Sequence, residues 1–143
     1  MLLRWRTQSS RMVLDFTCFS MGEDLCVLIT GGERPHLGAV GIAQVRPNTR
    51  DAARLTTSTS VLTLFGHKED AVVYRAAPAL AVKLNMNVVV CCGIHVDNIR
   101  PEEMQFVSEA VDTFCATFPP EGSVREPLSP ILAVGPVQMV SAT

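Results

Sequence analysis

The chain is short of lysine. Lys68 and Lys83 stand against ten arginines, and the basic residues form no run, so a nucleic-acid footprint has no support. Charged residues make up 18% and aromatic residues 6% of the sequence, which leaves little polar material to cover a surface. A contact with a partner protein or ligand is therefore expected. No apolar run approaches the ~18 residues of a membrane-spanning helix. The opening MLLRWRTQSS has no apolar core of the kind a signal peptide needs. The CxxC, HExxH, GxxxxGK[ST] and GxSxG patterns are all missing, which removes the compact zinc, P-loop and nucleophile-elbow signatures. The cysteines are odd in number: Cys18, Cys26, Cys91, Cys92 and Cys115. Most lie in apolar runs, where Cys acts as a small hydrophobe. This argues against a disulfide framework and for a reducing, cytoplasmic setting.

What is present fits one folded domain. The 143 residues are 48% hydrophobic, carry a formal charge of −2 and have a mean hydropathy of +0.26. Residues 11–20 alternate, with Met12, Leu14, Phe16 and Cys18 on one face, and predict a half-buried strand. Residues 25–30 (LCVLIT), 36–45 and 56–65 predict three more strands. The period then changes. Val72, Val73, Ala76, Ala77, Leu80, Ala81 and Leu84 recur at helical spacing, with Pro78 expected to kink or split the helix and Asn85 to cap it. NVVVCC at 87–92 predicts a short buried strand. A second helix opens at Pro101, with Asp97 or Asn98 as its expected cap. The order β-β-β-β-α-β-α implies an α+β fold: an antiparallel meander, then α-β-α, with both helices on one sheet face. The other face needs a cover, and a homodimer supplies one. The domain is expected to span 10–118. Residues 119–143 hold five of the nine prolines and predict an extended tail.

All three histidines punctuate element ends: His36 in TGGERPH, His67 in FGHKED and His95 in CGIHVDN. If these loops meet, one site holds the whole histidine complement. An anion there would use the Gly31 and Gly32 amides, the hydroxyls of Thr57, Ser58 and Ser60, the cation Lys68 and the helix start at Gly66 and His67. Each segment also has a purely structural account: turn glycines, a solvated helix first turn, a helix cap. A metal-dependent enzyme built on His36, His67 and His95 is a rival reading, since neutral imidazole binds Zn²⁺ or Fe²⁺. A ligand-free assembly factor is a third. No complete set of nucleophile, base and acid is visible, so an accessory protein is favoured over an enzyme.

Three motifs in order carry a family resemblance: TGGERPHLGAV at 30–40, STSVLTLFGHKED at 58–70 and VVVCCGIHVDN at 88–98. Over residues 10–118 the chain resembles the small D-component proteins of gallate/vanillate-type decarboxylases. These are prenylated-flavin chaperones of UbiD-type decarboxylases, with a fold similar to the proteasome-assembling chaperones. The resemblance implies binding of prenylated FMN and delivery to, or maturation of, a UbiD-type decarboxylase. The resemblance and the anion reading together give the expected cofactor-binding residues Gly31, Gly32, His36, Gly38, Ser60, Gly66, His67, Lys68, His95, Asp97 and Asn98. Without a basic run or a long apolar run, neither nucleic acid nor membrane is expected as a partner.

Overall fold

The computed structural model describes residues 1–64, 66 and 69–126. The expected site residues His67 and Lys68, and the tail from 127 on, lie outside them. Alternation of apolar and polar residues builds five strands: β1 (Leu2–Ser9), β2 (Met12–Met21), β3 (Asp24–Gly32), β4 (Ala39–Pro47) and β5 (Leu55–Thr63). Helix α1 (Asp70–Leu84), strand β6 (Val88–His95), helix α2 (Pro101–Thr117) and the short strand β7 (Val124–Glu126) follow.

The seven strands form one sheet in the order β5-β4-β6-β3-β2-β1-β7. The meander is therefore real in two pieces, β1-β2-β3 and β4-β5, and β6 is inserted between them. It runs parallel to β3, with Gly32 opposite His95, and antiparallel to β4, with Ala39 opposite Cys92. Two strands extend the expected 10–118 unit. In β1, Leu3 is fully buried and pairs with Cys18; β7 pairs with β1 inside the expected tail. Their signals are weak because both lie near the rim of the sheet. Arginines interrupt β1, and β7 is only three residues long and exposed.

Both helices cover one face. Leu14, Phe16, Val27, Ile29, Ala43, Val88 and Val90 point into that layer and meet Val73, Ala77, Leu80, Val107, Val111 and Phe114. Phe114 stacks on Phe16 at 4.5 Å between ring centroids, with Trp5 and Phe118 at its flanks. Over β4 the approach is closer. A Cβ on Gly41 would lie 2.9 Å from the Val73 Cβ and carbonyl oxygen, so glycine sets the α1–sheet distance.

Two local expectations are corrected and a third holds. Pro78 does not split α1, which runs unbroken from Asp70 to Leu84. Buried residues on both sides of it, Val73, Ala76, Ala77, Leu80 and Ala81, pack the helix onto the sheet, and that packing holds the axis. Asn85 does close the helix, in a left-handed conformation (φ 52°) with its N–H donating to the Ala81 carbonyl. At α2 the cap position belongs to Arg100, not Asp97 or Asn98. The Glu103 carboxylate accepts the Arg100 N–H at 2.9 Å.

Inserting β6 between β3 and β4 forces the β3–β4 connection to cross the end of β6. It crosses directly above Gly93, where a Cβ would stand 1.6 Å from the His36 carbonyl oxygen. No side chain fits without moving backbone. Gly93→Ala should therefore destabilise the fold by roughly 3 kcal/mol or more, read as a lowered urea midpoint. An unchanged midpoint would show that the crossing is loose.

Candidate functional site

Strands β3, β6 and β5 run in the same direction, since β5 and β6 each pair antiparallel with β4. Their C-terminal ends release three connections at one end of the sheet: 33–38, 64–69 and 96–100. Both helices begin there. Topology thus brings the loops of His36 and His95 together.

The His36 and His95 rings lie 6.1 Å apart, edge to face. His36 Nδ1 is 3.1 Å from the Arg34 carbonyl, and Nε2 is 3.1 Å from the Glu69 carboxylate. Glu69, almost wholly buried, also accepts the Ile94 N–H at 3.2 Å. Gly38 backs this carboxylate so closely that a Cβ would meet its oxygen at 2.4 Å. His95 Nε2 sits between Arg34 Nη2 at 2.8 Å and Asp97 Oδ1 at 2.9 Å; it accepts from the first or donates to the second, according to its tautomer. His95, followed by Arg34, holds the Asp97 carboxyl below its ordinary value.

A second ionic cluster braces these loops. Arg11, at the start of β2, donates to both Glu103 oxygens at 2.7 and 3.0 Å, to the Asp97 carbonyl and to Glu33. Arg100 adds its guanidinium to Glu103 at 2.9 Å. These donors, Arg11 first, pull the Glu103 carboxyl far below its ordinary value of 4.5.

Between α1 and α2, above the end of β6, opens a cleft of about 450 Å³. Val72, Ile94, Val96, Ile99, Met104 and Val107 give it apolar walls. Gly66, Glu69 and His95 lie at one part of it, Arg75 and Ser108 at another. That volume lies in the range of small-molecule and cofactor sites. An apolar slot with few polar groups suits a flat aromatic ring system with polar edges.

The expected residues are sorted by this geometry. His36, Gly38, Gly66, His95, Asp97 and Asn98 belong to the assembled end of the sheet; Asn98 adopts φ 50° in the turn before α2. Gly31 and Gly32 are nearby but are explained by packing. Gly31 lies in the ladder between Leu14 and Ile94, and a Cβ on Gly32 (φ 74°) would strike the His95 carbonyl at 2.2 Å. Ser60 is a correction. It pairs with Ile42 on the helix-free face, because it is an odd number of residues from the positions of β5 that face α1. Ser58 is on that face too, accepting from Arg46 at 3.0 Å. The hydroxyl-rich anion cradle is thus not assembled. Among the described residues no three His, Cys, Asp or Glu side chains gather as a metal site requires. Burial pushes the Cys18 and Cys92 thiols up to about 12 and Cys115 to about 11, as suits core residues.

Sequence reasoning missed Arg11, Arg34, Arg75 and Ser108. Arg34 carried a signal, two residues before His36 in the same glycine-broken loop. Arg75 follows Val72 at a spacing of three along α1, on the side that faces the cleft.

A mixed sheet with two helices on one face and a ligand-sized cleft at the strand ends defines an α+β scaffold with room for a small molecule. A protein in a structure described as a novel chaperone complex for yeast 20S proteasome assembly has a similar fold. The TM-score is 0.51 at 14% identity, over 82% of this chain and 95% of that one. Residues 8–120 match the family described as the prenylated flavin chaperone LpdD-like domain, and the chain belongs to that family. No curated protein matches the chain.

The Glu103 cluster predicts a pH dependence. Its carboxyl binds a proton less readily in the folded than in the unfolded chain, so its stabilisation is complete above the ordinary value. It is lost as pH falls through the depressed folded value. Urea midpoints should drop between about pH 5 and about pH 3. Glu103→Gln should lower stability at neutral pH and flatten that drop. An equally steep drop in the variant would assign it to other carboxyls.

Proposed function

We propose that this protein holds reduced prenylated FMN in the α1–α2 cleft and delivers it to, or helps mature it in, a UbiD-type decarboxylase. The observation that carries the reading is the apolar cleft beside His95 and Glu69 in a chain of the prenylated flavin chaperone family. Val72, Ile94, Val96 and Met104 would enclose the ring system. Glu69 and His95 would meet its polar edge. The cofactor brings the carbanion-stabilising chemistry of a decarboxylase; this chain would bind, orient and shield it. Five free cysteines favour work in a reducing, cytoplasmic compartment.

Anaerobic titration with reduced prenylated FMN tests the reading. Wild type should bind. Met104→Trp, which fills the mouth of the cleft from a half-exposed position, should weaken binding at least about 10-fold. His95→Ala should weaken it with the fold retained. No binding by wild type would remove the proposal.

The homodimer is proposed through the helix-free face. Leu28, Val40, Val89 and Cys91 occupy its centre, and Ile42 (53% exposed) and Leu62 (68%) stand open toward the β5 edge. The Arg6–Asp15 pair at 2.6 Å lies on the same face near β1. Apolar centre and neutralised charge suit a self-complementary two-fold contact, which needs at least about 1,000 Å² in total. Sedimentation should give a dimer for wild type and a monomer for Ile42→Asp/Leu62→Asp. A monomeric wild type at micromolar concentration would exclude the interface.

A further inference from the structure

The structure assigns a direction to the ligand in the cleft, and Arg75 with Ser108 as the residues that recognise its phosphate. The inference rests on the flavin reading above. A flavin mononucleotide is polar at two distant points: the ring edge, which presents N–H donors and carbonyls, and the phosphate, a dianion. The cleft is polar at two places as well, with apolar walls between them.

One place is acidic. The Glu69 carboxylate faces the cleft, fixed by the Ile94 N–H and His36, and Asp70 follows it in the first turn of α1. A carboxylate in an apolar setting accepts ring N–H groups and repels a phosphate. The other place carries a fixed guanidinium. Arg75 donates to the Ser108 hydroxyl at 3.0 Å and the Ser108 carbonyl at 3.4 Å, and its Nε lies 3.2 Å from Asp112. Its planar fork is thus held before any ligand arrives, with a hydroxyl beside it as a further donor. The Asp112 contact is half-exposed, so an entering dianion can replace it at small cost. Glu69 and Arg75 are six residues apart on α1, about 9 Å along its axis, room for a ribityl-type spacer between ring and phosphate. This placement is an alternative to the sequence expectation of an anion at the start of α1 beside Lys68, which lies outside the described residues.

The test compares reduced prenylated FMN with the same compound after phosphatase treatment, by anaerobic titration. Wild type should prefer the phosphorylated form. Arg75→Gln should lose about 10-fold or more of that preference, with affinity for the dephosphorylated form unchanged, which also shows that the cleft is intact. Arg75→Lys should recover part of it. Asp112→Asn, which frees the guanidinium, should raise it. A preference retained in Arg75→Gln, or lost instead in Lys68→Ala, overturns the assignment and leaves the flavin reading standing. Wild type that binds neither form overturns both.

Discussion

The site depends on one steric constraint, the passage of the β3–β4 connection over the end of β6. Gly93 lies beneath the His36 backbone, and Gly32 lies against the His95 carbonyl. Two absent side chains let two loops touch that are far apart in sequence. The contact fixes His36 beside His95 and turns its ring toward Glu69 at the start of α1. If that crossing were lifted by the width of a methyl group, the two histidines would separate. Backbone packing, not hydrogen bonding between the side chains themselves, sets the geometry.

Charge then holds what packing has placed. Glu103 is 4% exposed yet takes guanidinium donors from the β1–β2 turn and from its own cap residue. A buried carboxylate is tolerated only when its oxygens are filled, and here two arginines and a backbone N–H fill them. Because Arg11 also reaches Glu33 and the Asp97 carbonyl, the β1–β2 turn, the β3–β4 connection and the entry to α2 share one ionic brace. Support of this kind keeps the three loops in register with one another.

The two sheet faces divide the work. The helix-covered face contains the aromatic stack of Trp5, Phe16 and Phe114 and supplies most of the fold's apolar burial. The other face keeps apolar residues half open at its centre, with the Arg6–Asp15 pair toward its margin. Stability and cleft come from the first face, and a surface suited to association comes from the second.

Local sequence determined the elements whose pattern is complete within a few residues. The alternation of Met12, Leu14, Phe16 and Cys18, the helical stripe from Val72 to Leu84 and the left-handed cap at Asn85 were all legible, because each follows from backbone period or φ alone. The motifs around His36 and His95 were legible as a family pattern and as element ends. Only the tertiary structure decided that β6 enters between β3 and β4, since strand order is a matter of long-range pairing that no local period encodes. That one decision brings Arg11 to Glu103 across 92 positions of sequence. It also opens the cleft between Arg75 and His95. Pro78 marks the same limit in the opposite sense: its local preference for a break is overridden because α1 is held along its length by the sheet beneath it.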